Sequence, residues 1–291
     1  MKSTIIKWGM ISILTLLVLF LLIINFLSVS LNSPDYAIEA YFEDLNVNYQ
    51  IHRIPFKDKT LRYVETGLQS DSVPLLFFIH GAPGTWDAFK EYLADYDLNQ
   101  NFRLISMDRL GYGGSEKGQS ETDLEIHADA ANQILKKYRS SKTIIVSHSY
   151  GSPISVIMAT KEPTLIDGLV MCSPVNDPES EPLKWYSYLA NLKVSRLVLP
   201  DFIDVASDEK MSHRNSLEKV MRFWKEVQCP VLQYHGKKDN LAPFKGNVDH
   251  SMQHFQKNKL TIIPEEKGAH LLIWFKSATF KNIILNFYEN L

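Results

Sequence analysis

The sequence predicts an α/β domain: a mostly parallel central sheet flanked by helices, with a helical cap, preceded by an N-terminal transmembrane helix. Three observations carry this. Short apolar runs alternate with helical stretches, the pattern of a sheet covered on both faces. The alternation breaks between Pro174 and Gln228, where the chain is rich in helical patterning and holds no convincing strand. And glycine-containing motifs follow the apolar runs, where open α/β sheets place their sites.

In chain order, residues 8–27 are almost wholly apolar and uncharged. As a helix they rise ~30 Å, the thickness of a bilayer core. Lys2 and Lys7 precede them and Asp35, Glu39, Glu43 and Asp44 follow, which places the N-terminus in the cytoplasm and the domain outside. The alternative is a cleaved signal peptide, with Ser28-Val29-Ser30 as the cleavage site and a secreted product. The expected organisation is an anchor at 1–30, a tether at 31–48 with one amphipathic helical turn near 36–42, and the folded domain at 49–291. Strands are expected at 49–55 and 61–66 as an antiparallel pair, then at 73–79, 102–107, 143–146, 165–171, 231–234 and 260–263. Helices are expected at 86–96, 121–139, 152–160, 244–255 and 270–288. The break at about 175–228 carries Trp185, Tyr188, Leu189, Leu197, Phe202 and Trp224, and is read as a cap over the sheet; the other reading is a helical excursion that completes the core.

Composition narrows the function. A formal net charge of −2 with no basic block gives no footprint for nucleic acid. The two cysteines, Cys172 and Cys229, fall at opposite ends of consecutive parallel strands, beyond disulfide reach, and are expected as free thiols. The histidines show no zinc spacing, and no cofactor or metal is expected.

The chemistry is concentrated in Ser147-His148-Ser149-Tyr150-Gly151. An apolar run turns there into a helix with Ser149 at the corner, the geometry of a nucleophile elbow, with Ser147 where a glycine is usual. His80-Gly81-Ala82-Pro83-Gly84 follows the run at 73–79; its glycines let the chain double back, and Ala82 N–H is a candidate anion donor that Pro83 cannot be. Asp108-Arg109-Leu110-Gly111-Tyr112-Gly113-Gly114-Ser115 reads as a structural turn tied down by Asp108 and Arg109, since it lacks the ending of a phosphate loop. His235-Gly236-Lys237-Lys238-Asp239 places a carboxylate after a strand, where Asp239 is either a helix cap or an acid. Gly268-Ala269-His270 leads into an apolar helix. Ser149, Asp239 and His270 run in the order that the elbow motif requires.

Taken together, these motifs resemble the α/β-hydrolase fold superfamily, in its lidded, serine-nucleophile branch, over residues 50–291. The resemblance implies Ser149 as nucleophile, His270 as base, Asp239 as the acid that orients it, and the N–H groups of Ala82 and Tyr150 as an oxyanion hole, with His80, Gly81, Gly84 and Gly151 shaping the loops. Asp177 is the rival acid. A serine at 149 argues against the haloalkane dehalogenase and epoxide hydrolase branches, which need a carboxylate nucleophile. The expected reaction is hydrolysis of a small hydrophobic ester or monoacyl lipid. The alternatives are a proline iminopeptidase-like aminopeptidase, which would need an acidic cluster such as Glu179, Glu181, Asp201 and Asp204, and a silent hydrolase-like binding protein.

Overall fold

The computed structural model describes residues 2–181, 183–197 and 199–291, with side chains described for these except 2–6, 24–32 and 186. The chain begins with α1 (Lys2–Asn32) and α2 (Asp35–Asp44). An antiparallel pair follows, β1 (Tyr49–Phe56) and β2 (Lys59–Gly67). Then come β3 (Leu75–Ile79), a short 3-10 turn, α3 (Lys90–Leu93), α4 (Tyr96–Asn101), β4 (Arg103–Met107), α5 (Leu124–Leu135), β5 (Thr143–His148), α6 (Gly151–Lys161) and β6 (Gly168–Cys172). The segment expected as a cap holds α7 (Trp185–Ala190), α8 (Asp201–Val220) and α9 (Phe223–Glu226). The chain closes with β7 (Val231–Gly236), α10 (Phe244–His254), β8 (Leu260–Glu265), α11 (Leu272–Phe275) and α12 (Ser277–Glu289).

The eight strands form one sheet in the order β1-β2-β4-β3-β5-β6-β7-β8. β2 runs antiparallel to β1 and to β4, and every other pairing is parallel. Central strands buried on both faces are mostly apolar, which is why they read as nearly continuous apolar runs. β3 shows it: Leu75, Phe77 and Ile79 join the core on one face, Leu76 and Phe78 the core on the other, and all five are fully buried. The connection from β3 leads to β4 on one side, and the chain then crosses to β5 on the other. The loops after β3 and β5 therefore diverge, opening a crevice at the carboxyl ends of the strands.

The segment between β6 and β7 does two things. Leu217, Val220, Phe223, Trp224 and Val227 pack into the main core, so the end of α8 and α9 complete the domain. The start of α8, through Phe202 and Val205, packs instead on Tyr112 in the turn after β4. Cys172 and Cys229 are free thiols.

One N-terminal expectation changes. The segment expected as a tether contains α2, a ten-residue helix whose Ile38 and Phe42 are fully buried. Ser33 Oγ accepts a 2.7 Å hydrogen bond from Trp86 Nε1. Asp35 receives Arg53 Nη2 at 2.7 Å and Arg62 Nη1 at 2.9 Å. The transmembrane segment expected at 8–27 lies on α1 and runs partly outside the residues whose side chains are described. Among the described residues no helix is long and apolar enough to cross a membrane.

Candidate active site

Ser149 stands at the turn from β5 into α6 with φ +51°, the left-handed region that costs a non-glycine residue on the order of 1 kcal/mol. Two bonds hold it there: Ser149 N–H donates to Cys172 O at 3.0 Å, and Ser152 N–H donates to Ser149 O at 2.9 Å. Gly151 permits close packing beneath the turn, since a Cβ there would meet Ile79 O at 2.5 Å and His80 O at 2.8 Å. Gly81 does the same above it, where a Cβ would lie 3.0 Å from Ser149 Cβ. Ser147 is tolerated in place of a glycine because its hydroxyl turns into α6, 3.1 Å from Ser155 Oγ and 3.4 Å from Ser152 Oγ.

Three side chains from separate strand ends meet at this point. His270 Nε2 lies 3.0 Å from Ser149 Oγ, and His270 Nδ1 lies 2.8 Å from Asp239 Oδ2. The second contact makes Nδ1 the protonated nitrogen and leaves Nε2 to accept the serine proton. Asp239 also does the work of a turn: its Oδ1 accepts the N–H groups of Leu241 at 2.9 Å and Ala242 at 2.8 Å. Burial pushes the Asp239 carboxyl up, but hydrogen bonds from His235 and His270, the His270 charge and the Ala242 N–H outweigh it and hold the carboxyl well below its ordinary range. Asp177 is elsewhere: it caps the 3-10 turn at Pro178–Ser180 and bonds Ser180 at 2.5 Å.

The motifs also bring histidines whose contacts the sequence did not assign. His148 Nε2–H donates to His270 O at 3.2 Å, and burial, reinforced by the His270 charge, depresses its pKa to about 3, so it stays neutral beside the His270 imidazole. His235 Nε2–H donates to Ala242 O at 2.9 Å and lies 3.3 Å from Asp239 Oδ2. Their strand-end positions beside Ser149 and Asp239 were the only sequence signal. His80 keeps its ring inside the loop after β3: Nδ1–H donates to Gly81 O at 2.7 Å, and Nε2 accepts Arg109 N–H at 3.0 Å. Gly84 makes room for that ring, since a Cβ would meet His80 Nδ1 at 2.8 Å. Among the described residues, neither Ala82 N–H nor Tyr150 N–H has a hydrogen-bond partner.

A cavity of about 460 Å³ opens over Ser149 and His270. Its floor includes Ala82, Tyr150, Leu271 and Trp274, and its roof is the 203, 206, 207, 210, 213 face of α8, at helical spacing. The acidic residues weighed for amine binding do not gather there. Only Glu181 lines the cavity, and it is paired with Lys210 and with His213 Nδ1 at 3.1 Å; Glu179 pairs with Arg214 and Asp201 with Lys117. Among the described residues no group of three or more His, Cys, Asp or Glu is placed to hold a metal ion.

A serine at a strand-to-helix corner of an eight-stranded, mostly parallel sheet, with a histidine and an aspartate from later strands, defines the class. The chain belongs to the alpha/beta hydrolase fold family. The family model matches residues 74–277. The chain is 26% identical over 167 residues to Epoxide hydrolase 1 of Caenorhabditis elegans, covering 54% of this chain and 40% of that protein. It is 28% identical over 126 residues to the probable lysophospholipase BODYGUARD 4 of Arabidopsis thaliana, covering 43% of this chain and 30% of that protein. The chain thus spans less than half the length of these relatives. A solved structure of a putative aryl esterase from Burkholderia cenocepacia superposes with a TM-score of 0.67 at 18% identity, over 82% of this chain and 98% of that one, which is a likeness of fold.

Proposed function

We propose that this hydrolase cleaves carboxylic esters through Ser149, His270 and Asp239, with an acyl-enzyme intermediate. The observation that carries the reading is the continuous contact from Ser149 Oγ to His270 Nε2 at 3.0 Å and from His270 Nδ1 to Asp239 at 2.8 Å. Ser149 Oγ attacks the ester carbonyl carbon while His270 Nε2 takes its proton. The oxyanion that forms is received by the N–H groups of Ala82 and Tyr150, each worth roughly 3 kcal/mol, with the N-terminus of α6 aimed at the same charge. Collapse expels the alcohol, which leaves with the proton from His270. Water then repeats the sequence on the acyl-enzyme and returns Ser149.

Residue 149 bears on the branch. The likeness to an epoxide hydrolase is one of fold and partial sequence, and a hydroxyl at the nucleophile position suits acyl transfer. For substrate we infer a monoacyl lipid or a small hydrophobic ester. Most of the cavity wall is apolar, through Ala82, Ala88, Val175, Ile203, Leu241 and Trp274. Its roof adds polar atoms buried without a partner, Ser207 Oγ and His213 Nε2, which suit a hydroxylated end of an amphiphile. The likeness to a probable lysophospholipase fits that choice. An extracytoplasmic domain held through α1 is proposed on the lysines before the apolar run and on the exposure of Trp8, Ile13, Leu16 and Ile23 along it.

A fluorophosphonate probe tests the reaction. Labelling is expected in the wild type and lost in Ser149→Ala and His270→Ala; a well-folded wild type that takes no label would show a silent binding protein. A panel of p-nitrophenyl esters of increasing chain length, run against aminoacyl amides, separates the esterase from an aminopeptidase. Protease treatment of intact cells reads the topology: cleavage only after the inner face is opened would overturn the outward orientation.

A further inference from the structure

Behind the oxyanion donors lies a buried ionic knot that the reaction as described does not use. Glu209, fully buried in the middle of α8, receives Arg109 Nη1 at 2.5 Å, Arg109 Nη2 at 3.1 Å and the Tyr112 hydroxyl at 2.6 Å. Burial pushes the Glu209 carboxyl up, but the Arg109 charge and hydrogen bonds from His127 and Arg109 bring it down to about 2, so the pair is ionised. Burying two charges is a costly way to seat a helix, and an apolar contact of the same volume serves as well or better. The other end of the arginine accounts for the choice. Arg109 Nε donates to His80 O at 3.1 Å and Nη2 to Gly81 O at 3.0 Å, the two carbonyls just before Ala82. The guanidinium also lies 4.6 Å from the centre of the Tyr150 ring, whose neighbour on α8 is the His213 ring at 4.5 Å. One planar cation therefore touches both segments that present the candidate oxyanion donors, and its counter-ion sits on the cap.

We propose that Arg109 and Glu209 are positioning residues that fix the spacing of the Ala82 and Tyr150 N–H groups and make that spacing depend on the seating of α8. The proposal rests on the reading of Ser149 as the nucleophile. With its charge neutralised by Glu209, Arg109 acts through geometry rather than through its field. Its five donors in a fixed plane suit it to hold two carbonyls and a carboxylate at once, which a lysine cannot do.

The test removes the charges together, so that none is left buried and unpaired. In the variant Arg109→Met, Tyr112→Phe, Glu209→Leu, the expected result is a folded protein by thermal melting with kcat on p-nitrophenyl esters lowered about tenfold to hundredfold and KM changed less than threefold. Affinity for a trifluoromethyl ketone should fall in parallel with kcat. That inhibitor is read at the same place: Ser149 Oγ adds to its carbonyl carbon, the proton passes to His270 Nε2, and the oxyanion sits between the two N–H groups. Glu209→Gln and Arg109→Lys keep the volume and serve if the triple variant does not fold. The glutamine should cost several-fold in kcat and ketone affinity alike, and the lysine should fail to restore either. A folded variant with wild-type kcat and ketone affinity, or one in which KM alone changes, overturns the proposal. Failure of Ser149→Ala to abolish labelling would instead sink the underlying reading.

Discussion

Replacing Gly151 by alanine sets two effects of opposite sign against each other. Gly151 is the first residue of α6, and helix propensity alone favours alanine over glycine by up to about 1 kcal/mol. Packing opposes it. The new Cβ would lie 2.5 Å from Ile79 O and 2.8 Å from His80 O, both backbone atoms at the end of β3. An ordinary carbon–oxygen contact is about 3.3 Å, so α6 and the end of β3 must part by roughly 0.5 to 0.8 Å. Overpacking of that kind costs about 1–3 kcal/mol, which exceeds the propensity gain. The net loss of up to about 2 kcal/mol should lower Tm by up to roughly 8 °C. The same displacement separates the loop carrying Ala82 from the corner carrying Ser149. Misplacement of reacting groups by 1 Å costs about a hundredfold, so kcat on p-nitrophenyl esters should fall about tenfold to hundredfold. Thermal melting and steady-state kinetics on purified Gly151→Ala read both numbers. A variant with raised Tm and unchanged kcat would show that helix propensity governs this position and that the elbow does not depend on close packing.

Further outcomes follow from the same geometry. Asp239→Asn should lower kcat by about 10³–10⁴, because the amide no longer holds Nδ1–H toward itself, whereas Asp177→Asn should leave kcat within about threefold; the reverse order in an ester assay would reassign the acid. Ser147→Ala removes a hydroxyl contact between β5 and α6 and should cost no more than about 1 kcal/mol with kcat unchanged, and a large loss of activity would place Ser147 in the chemistry. Acid should weaken the fold. Burial and the His270 charge lower His148 from 6.5 to about 3, and Arg109 with His127 holds Glu209 at about 2 rather than 4.5 against its burial. Both native pKa values are depressed, so the unfolded chain takes up protons that the native state refuses. Stability is full above pH 6.5 and falls as pH drops toward 3 for His148, and from 4.5 toward 2 for Glu209. Tm measured from pH 7 to pH 4 should decline throughout, and a flat profile would contradict the burial of these groups.

The sheet was legible because β3, β5 and β6 are covered on both faces and so carry short, nearly continuous apolar runs. Ser149, Asp239 and His270 were legible because each follows a strand, after β5, β7 and β8 in turn. Other parts left weaker traces. α2 buries Ile38 and Phe42 alone, one helical turn apart in an otherwise polar stretch, too little to distinguish a packed helix from a tether. Asp108 pegs its own turn as read, accepting Gly114 N–H at 2.9 Å, and the Arg109 guanidinium lies 4.9 Å from the Tyr112 ring of that turn. The guanidinium also reaches back to the loop after β3, a contact between residues 28 and 29 apart in the chain that no local pattern encodes. Glu209 sits in a polar helix where one more carboxylate carries no signal, and its burial exists only once α8 lies on the turn after β4.

The fastening of residues 33–42 sets where this protein can be cut. A chain trimmed to begin at Tyr49, the first residue of β1, would lose Ser33 and leave the indole N–H of Trp86 facing no acceptor. It would lose Asp35, one of the two carboxylates on buried Arg62, and uncover the floor on which Ile38 and Phe42 rest. The unit that refolds and crystallises should therefore start ahead of Ser33, and limited proteolysis should nick the loops of the cap before it opens the joint between α1 and α2.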